Sequence, residues 1–414
     1  MNTFERFESN VRGYCRVWPT VFDTARNARQ WDVDGREYID FFCGAGVLNF
    51  GHNNDRLRKA MIDYMLADGV AHSLDMYSRS KQRFIERFNE VILKPRNLSY
   101  KLQFTGPTGS NVVEAALKLA RKVTGRPSVV AFTDGFHGMT LGALACTGNE
   151  KFRVAAGVPL NDVVRVPYDG YLGEGVDTLE PLKRALDDSS SGITPPAAFI
   201  VETIQAEGGV NVARQEWLRA VQELAHRHGA LFIVDDIQVA CGRTGQYFSF
   251  ETLGLEPDLV CLAKGIGGYG TPLGVLLIKP EHDQWQPGEH TGTFRGQNLS
   301  MVAGAEALNY FADDAFLESV RAKGEQIEAR LREIAAQADV PVRGRGMIHG
   351  LDFGSGKRAA DIIRAAFDSG LLIPSCGPEG RVIKIMPPLT IEDDTLDEGL
   401  NLFERAVVGA TVAA

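Results

Sequence analysis

The run Asp258-Leu-Val-Cys-Leu-Ala-Lys264 leads into the glycine-rich turn Gly265-Ile-Gly-Gly-Tyr-Gly270, and the architecture can be worked out from there. A short apolar run bounded by a turn predicts a buried strand of a parallel sheet, with Lys264 at its carboxyl end. In open α/β sheets, ligands bind beyond the carboxyl ends of the strands. A partly desolvated amine there loses its proton readily, which is what an imine-forming lysine requires.

A second apolar run, Ala230-Leu-Phe-Ile-Val-Asp-Asp236, ends in two carboxylates. Asp235 precedes Lys264 by 29 residues (264 minus 235), the length of one crossover unit, so we expect both side chains at neighbouring strand ends. A buried aspartate beside a lysine matches the pyridinium partner and the Schiff-base lysine of a pyridoxal 5'-phosphate (PLP) site. Taken singly, each residue has a plainer explanation, as a solvated lysine or as a helix-capping aspartate.

The composition is that of an ordinary globular protein of 414 residues, which predicts two domains. The formal net charge is −9 and no basic run is present, so we expect neither nucleic acid nor a membrane surface as a partner. The first residues lack an apolar signal segment, which favours a cytoplasmic protein. The six cysteines lack CxxC spacing and the eight histidines lack HExxH spacing, so we expect free thiols and no catalytic metal.

Strand and helix patterns alternate between residues 125 and 290, which predicts an α/β fold with a large, mainly parallel sheet covered on both faces. The predicted strands are Ser128–Thr133, Asp162–Val166, Ala197–Val201, Ala230–Val234, Asp258–Ala263 and Pro272–Ile278. Helical patterns dominate from about residue 300, which predicts a smaller α+β domain. Residues 1–50, with a hairpin signal at Asp34-Gly35, are expected to pack on that small domain (299–414), while residues 51–298 form the large one.

The turn Gly106-Pro-Thr-Gly-Ser110 lies between a short strand and a helical pattern that begins near Asn111. We predict that Asn111 and Glu114 form a capping box and that Gly125 ends the helix. A helix that starts in small hydroxylated residues offers free amides and a positive dipole end, so it can bind a phosphate. A capped helix with nothing bound is the alternative interpretation.

Several short stretches now stand in an order that resembles the class III, ω-amino-acid branch of the PLP-dependent aminotransferases, over nearly the whole chain. They include Leu48-Asn-Phe-Gly-His-Asn-Asn54, Phe104-Thr-Gly-Pro-Thr-Gly-Ser110, Thr133-Asp-Gly-Phe-His-Gly138, Asp235-Asp-Ile-Gln238 and Pro387-Pro-Leu-Thr390. Within the branch they are most similar to the diaminobutyrate 2-oxoglutarate transaminases of ectoine biosynthesis. The resemblance implies the PLP-dependent transferase fold of type I and transfer of an amino group between an amino acid and an oxo acid.

The resemblance also implies a role for individual residues. Lys264 would form the Schiff base and move the proton, and Asp235 would hold the pyridine nitrogen protonated. Gly109 and Ser110 would bind the phosphate, Phe136 would stack on the ring beside His137, and Gln238 would hydrogen-bond near the ring hydroxyl. Thr293 would reach the phosphate of a neighbouring subunit, which implies a homodimer or a higher oligomer with shared active sites.

Substrate selection is expected to involve Glu207, acting as a gate that pairs with a basic residue near Pro387. Many class III enzymes carry an arginine there to bind the α-carboxylate of 2-oxoglutarate, whereas this chain has Lys384. Lysine is a point charge without the bidentate fork of arginine. Lys384 is therefore either a substrate residue or a surface lysine at a strand end. Arg12, Tyr14, Arg243 and His290 are interpreted as structural.

Other functions remain open at this point. The donor could be another ω-amino acid such as GABA or ornithine, and an aminomutase would use the same lysine and aspartate without an acceptor. A PLP-binding protein without catalysis is disfavoured because Lys264, Asp235 and Thr293 are all present. A nucleotide-binding Rossmann protein would need a GxGxxG turn after its first strand, which is missing.

Overall fold

The computed structural model describes residues 3–412, which contain seventeen strands. In chain order these are β1 (Phe22–Arg26), β2 (Arg29–Asp32), β3 (Glu37–Asp40), β4 (Lys101–Phe104), β5 (Val129–Phe132), β6 (Val163–Val166), β7 (Ala198–Val201), β8 (Ile204–Gln205), β9 (Asn211–Val212), β10 (Leu231–Asp235), β11 (Leu259–Leu262), β12 (Val275–Ile278), β13 (Val342–Arg345), β14 (Ile348–Asp352), β15 (Leu371–Leu372), β16 (Ser375–Cys376) and β17 (Val382–Ile385).

Fourteen α-helices accompany these strands in the described part of the chain. They are α1 (Thr3–Phe7), α2 (Tyr14–Val17), α3 (Cys43–Gly46), α4 (Asp55–Leu66), α5 (Arg79–Phe88), α6 (Gly109–Thr124), α7 (Leu141–Cys146), α8 (Glu150–Val154), α9 (Glu180–Asp187), α10 (Gln215–Arg227), α11 (Asn298–Ala307), α12 (Ala315–Ala338), α13 (Gly356–Asp368) and α14 (Asp393–Val412). None of the helices within residues 3–412 combines the length and the apolar character that a membrane crossing needs.

The large sheet has the order β4-β12-β11-β10-β7-β5-β6, with helices packed on it. All six predicted strands are present, and their ends shift by at most three residues. Strand β12 runs antiparallel to both β11 and β4, and the other neighbouring pairs are parallel. The expected α/β fold with a mainly parallel sheet is confirmed, with β12 as the reversed strand.

Buried side chains on both faces hold the large sheet in place. One face of the central strands packs with α10, where Trp217, Leu218 and Val221 are buried. The other face packs with α6, whose apolar residues repeat at helical spacing and are fully buried. Because both faces are covered, β10 and β11 are apolar throughout and can place polar side chains only at their ends.

A four-stranded sheet, β1-β2-β3-β15, joins the beginning of the chain to its end. Strands β2 and β3 form the predicted hairpin around Asp34-Gly35, and Ile39 of β3 pairs in parallel with Leu371 of β15. A second sheet, β13-β14-β17-β16, packs with α12, α13 and α14 in a separate apolar core. The domain boundaries at residues 50 and 298 stay a prediction.

Helix α6 begins two residues earlier than its predicted cap. Thr108 is the N-cap residue and its hydroxyl accepts a hydrogen bond from the amide of Asn111, so the proposed Asn111–Glu114 capping box is wrong. Glu114 instead accepts hydrogen bonds from Thr140 and from the amide of Ala143 at the start of α7. Gly125 ends the helix in a left-handed conformation, as predicted.

Candidate active site

A cavity of about 150 Å³ lies beyond the carboxyl ends of β10 and β11, where strand-end side chains were expected to meet. Its polar lining comes from segments that are far apart in sequence. The lining residues are Thr108, Gly109, Ser110, Phe136, His137, Gly138, Met139, Glu202, Glu207, Asp235, Ile237, Gln238 and Lys264. Every predicted cofactor residue except Thr293 therefore lines this one cavity.

Lys264 lies two residues beyond the end of β11 and begins a single 3₁₀ turn, Lys264–Gly267. Its φ of +52° lies in the left-handed region, which a lysine adopts at a cost that the buried surroundings must offset. Burial lowers the pKa of Lys264 to about 8, against the nearby carboxylate of Glu207, which acts to raise it. A larger fraction of this amine is therefore neutral, and nucleophilic, near neutral pH than of an ordinary lysine.

Asp235 is the last residue of β10 and its carboxylate is bound on both sides. Its Oδ2 atom lies 2.7 Å from Nδ1 of His137, and its Oδ1 atom accepts a hydrogen bond from the amide of Ile237 at 3.2 Å. The side chains of Asp235 and His137 are only 4% and 1% exposed. A buried, rigidly held carboxylate facing the cavity can bind a protonated ring nitrogen.

The first turn of α6 forms the end of the cavity opposite these groups. The amides of Gly109 and Ser110 have no partner within the helix, because the first intrahelical bond starts at Val112. The hydroxyl oxygen of Ser110 accepts a hydrogen bond from the amide of Met139 at 3.1 Å, which leaves its proton for a ligand. A Cβ atom at Gly138 would lie 2.2 Å from that oxygen, so only glycine allows this approach.

Glu202 contributes a third buried carboxyl group, one residue beyond β7. It accepts a hydrogen bond from the amide of Phe136 at 2.9 Å, which fixes the backbone of the ring-facing phenylalanine. Burial raises the pKa of Glu202 well above its usual range, and the nearby charge of Asp235 raises it further. This shift favours the protonated, neutral form of Glu202 beside Asp235.

Glu207, which lines the cavity, forms an ion pair with the buried Lys384. Lys384 is the third residue of β17 and its side chain is 1% exposed, so the interpretation as a surface lysine is wrong. Burial alone would raise the pKa of Glu207, but the positive charges of Lys384 and Lys264 lower it to about 2. Gln238 completes the group, because its amide donates hydrogen bonds to Glu207 Oε1 at 3.0 Å and to the carbonyl of Ala45 at 2.7 Å.

Thr293 is the one predicted cofactor residue that lies outside this cavity. It is exposed in the segment before α11, next to Phe294, which is 60% exposed. Within residues 3–412, no group of three or more histidine, cysteine or acidic side chains is arranged to hold a metal. The cavity thus offers a lysine, carboxyl groups and helix amides as its binding chemistry.

The residues interpreted as structural fall into two classes. Arg243 is fully buried and donates to the carbonyls of Met347 and Pro387 and to Asn49 Oδ1, so it ties three segments together. His290 packs its ring near Trp285, at 5.6 Å between centroids. Tyr14 is different, because partial burial and the Glu207 carboxylate together raise the pKa of its hydroxyl.

Comparison with known proteins decides the family. The model of the family described as aminotransferase class-III matches residues 13–407. The chain belongs to the class III aminotransferases. A diaminobutyrate–2-oxoglutarate transaminase of Nocardia farcinica is 52% identical to this aminotransferase, with 98% of this chain and 94% of the relative covered. One of Streptomyces coelicolor is also 52% identical, with 98% and 97% covered.

Solved structures place the aminotransferase in the same fold. The crystal structure of the ornithine aminotransferase from Toxoplasma gondii superposes with a TM-score of 0.86 at 24% identity, over 99% of this chain and 94% of that chain. At this identity the likeness shows the fold alone.

The cofactor of the class III aminotransferases is PLP, and the cavity fits it. Lys264 would supply the amine for a Schiff base, and Asp235 a carboxylate for a ring nitrogen. The amides and the hydroxyl in the first turn of α6 would supply the donors for a phosphate.

Some lining residues had no sequence signal. Ile237 and Met139 carry no chemistry of their own, and they were not singled out from the sequence. Glu202 stands out only through its position at a strand end, the signal that also identified Asp235. The proximity of Tyr14 to Glu207 joins segments that are about 190 residues apart, which a sequence pattern does not show.

Proposed function

We propose that this aminotransferase moves the 4-amino group between L-2,4-diaminobutyrate and L-aspartate 4-semialdehyde, with 2-oxoglutarate and L-glutamate as the other pair. The observation that carries this proposal is the ion pair between the buried Lys384 and Glu207, which lines the Lys264 cavity. Apart from its amine and the carbon chain, the reacting carbon of diaminobutyrate bears only hydrogen. The reacting carbon of glutamate also bears a carboxylate. One site must therefore be neutral for the first substrate and cationic for the second.

The ion pair meets both demands by opening and closing. When Glu207 pairs with Lys384 the two charges cancel, which suits the diamine. When Glu207 turns away, Lys384 is left as a cation that can bind the carboxylate of an oxo acid. Lysine binds that carboxylate through one point charge, in place of the two parallel hydrogen bonds of an arginine.

PLP supplies a ring that accepts electrons from the substrate carbon. Lys264 would take the proton from that carbon and deliver it to the cofactor carbon C4′, and the reverse in the second half-reaction, because burial lowers its pKa to about 8 and keeps part of it neutral. Asp235 holds a proton on the ring nitrogen, and His137 fixes the orientation of Asp235. These residues do the same work in both half-reactions.

The remaining residues bind and orient the cofactor. Gly109 and Ser110 bind the phosphate with the amides and the hydroxyl of the α6 terminus. Phe136 would cover one face of the ring, and the hydrogen bond from its amide to Glu202 fixes its backbone. Gln238 would hydrogen-bond near the ring hydroxyl, and its side-chain amide is held by Ala45 and Glu207.

We also infer a cytoplasmic homodimer that serves ectoine synthesis. The exposed position of Thr293, outside its own cavity, supports a role in the site of a neighbouring subunit. Cysteine usage supports the compartment, since all six are free thiols and five are buried. The related diaminobutyrate transaminases support the pathway.

The test follows the visible absorbance of the cofactor-loaded enzyme through each half-reaction separately. L-2,4-diaminobutyrate alone should bleach the band of the lysine-bound cofactor, and 2-oxoglutarate added afterwards should restore it. GABA and L-ornithine serve as competing donors in parallel titrations, and we expect both to react more slowly. A faster reaction with either of them would identify that donor, and not diaminobutyrate, as the substrate.

Two controls separate the chemistry from the substrate. Lys264→Ala should bind PLP without the lysine-linked band and show no turnover, because no other amine in the cavity can move the proton. Residual transamination above the uncatalysed background would contradict the role of Lys264. Repeated turnover of a diamine, beyond one equivalent per cofactor and with no oxo acid present, would point to an aminomutase.

A further inference from the structure

The hairpin formed by β8 and β9 (residues 204–212) carries Glu207 and lies between the two main sheets. On the large-sheet side, Gln205 donates a hydrogen bond to the carbonyl of Thr133 at 2.7 Å. On the other side, the carbonyl of Glu207 accepts a hydrogen bond from the amide of Gly377 at 2.8 Å. The backbone that presents the Glu207 carboxylate is therefore fixed from both directions.

Two glycines allow the hairpin to touch the strand region after β16. Gly209 and Gly377 have φ values of +122° and +75°, and each lies against the other. A Cβ atom at Gly377 would lie 3.2 Å from the Cα atom of Gly209 and 3.0 Å from a methyl group of Val382. Any side chain at Gly377 would thus push the two backbones apart and lengthen the hydrogen bond to Glu207.

Arg343, in β13, fastens this crossing. Its Nε atom donates a hydrogen bond to the carbonyl of Gly209 at 2.9 Å, and its Nη2 atom lies 3.4 Å from a carboxylate oxygen of Asp352. Asp352 also holds Arg381, at 3.1 Å, so the carboxylate is shared between two arginines. The Asp352 side chain is 10% exposed and that of Arg343 is 29% exposed, so solvent screens this contact only in part.

We infer that Arg343 and Gly377 are positioning residues that hold the Glu207 carboxylate against Lys384 and so set the balance between the two substrates. This inference rests on the proposed function, because it assigns the closed pair to the diamine and the open pair to the oxo acid. Neither residue touches substrate or cofactor. Each acts through the backbone of the hairpin.

The direction of the effect follows from the population of the closed pair. A ligand that needs the open form binds more weakly by the factor by which that form is under-populated. Loosening the hairpin weakens the closed pair, so the oxo acid should bind more tightly and the diamine less tightly. A purely structural role would weaken both ligands alike and leave the ratio of their dissociation constants unchanged.

The main test compares Arg343→Met with the matched control Arg332→Met, both as PLP-loaded enzyme. Arg332 is exposed on α12 and pairs with Glu328 away from the hairpin. The apparent dissociation constant of L-2,4-diaminobutyrate is measured with the PLP-loaded enzyme. That of 2-oxoglutarate is measured after the diamine has converted the cofactor to its amine form, and each value comes from the absorbance change of its own half-reaction. In Arg343→Met the ratio of the dissociation constant of the oxo acid to that of the diamine should fall by about fivefold. This is the effect expected when part of the free energy of one charged hydrogen bond reaches the ion pair. In Arg332→Met it should not change.

Amide hydrogen exchange supplies a second readout that needs no substrate. Residues 204–212 should exchange faster in Arg343→Met and in Gly377→Ala, and at the wild-type rate in Arg332→Met and Gly409→Ala. Gly409 lies in α14, where a Cβ atom meets nothing within 4 Å.

The outcomes separate the two proposals. If the wild-type enzyme reacts with neither ligand, the proposed function fails, and the exchange data alone then decide whether Arg343 holds the hairpin. If the wild type reacts but the ratio stays constant in Arg343→Met, the positioning role is wrong and the proposed function stands. Wild-type exchange rates of residues 204–212 in both Arg343→Met and Gly377→Ala would overturn the inference, whatever the ratio of the dissociation constants.

Discussion

Replacement of Lys384 by methionine tests the energetics of the buried pair. The side chain of Lys384 is 1% exposed and that of Glu207 is 26% exposed. Removal of one partner from a buried ion pair typically costs about 3–5 kcal/mol, because the other charge is left without compensation. Since Glu207 keeps some exposure and the hydrogen bond from Gln238, we expect Lys384→Met to lower the free energy of unfolding by about 2–3 kcal/mol at pH 7.

The assay is urea unfolding at fixed protein and PLP concentration, because cofactor binding and subunit association both shift apparent stability. A double-mutant cycle with Glu207→Gln isolates the pair, and the double variant should recover more than half of the loss. Lys357→Met is the matched control, since Lys357 forms a solvent-exposed pair with Asp361 whose removal is expected to leave the free energy of unfolding unchanged.

The same variant separates stability from substrate binding. Without the cation that we propose for the oxo-acid carboxylate, the half-reaction with 2-oxoglutarate should lose affinity by at least about tenfold, and the diamine half-reaction should change much less. The reasoning fails if Lys384→Met is as stable as the wild type, or if both half-reactions weaken equally.

Three further changes probe other parts of the molecule. Asp235→Asn should slow the proton step by roughly two to three orders of magnitude while PLP stays bound, and a near-normal stopped-flow rate would refute its role. Gly138→Ala should weaken PLP binding by displacing Ser110, while Gly173→Ala, whose Cβ meets open space, should not, as equilibrium dialysis would show. His349→Leu should abolish a loss of stability on acidification. Burial lowers the pKa of His349 from 6.5 to about 4, and neither ring nitrogen has a hydrogen-bond partner within residues 3–412. The free energy of unfolding of the wild type should therefore fall by about 3 kcal/mol between pH 6.5 and 4, at about 1.4 kcal/mol per pH unit. Urea midpoints that vary with pH equally in both proteins would contradict this.

The large sheet and the proximity of Lys264 to Asp235 were predictable because both follow from local pattern. An apolar run that ends in a charged residue indicates a buried strand, and parallel strands bring their carboxyl ends to one edge. The direction of β12 was not predictable in the same way. Its residues Val275–Ile278 are buried on both faces, and such a run has the same pattern in either direction.

The burial of Lys384 was hidden for a different reason. A lysine at a strand end is ordinarily solvated, and only a partner can make its burial favourable. That partner, Glu207, lies 177 residues away in sequence, on a two-stranded hairpin too short to give a periodic signal. The start of α6 was misplaced because Thr108 and Asn111 are both good N-cap residues, and the backbone before the helix decides between them.

The pairing of β3 with β15 constrains how the chain can fold during its synthesis. Ile39 and Leu371 are separated by 332 residues (371 minus 39), whereas every strand of the large sheet lies between Lys101 and Ile278. At about 5–20 residues per second, a ribosome needs roughly 17–66 seconds to reach the second partner after making the first. The large sheet can be complete before that moment, while β3 still lacks its partner β15. Strand β3 is thus among the first strands to leave the ribosome and among the last to gain its second strand partner. A chain that stops before Leu371 leaves that edge of β3 unpaired.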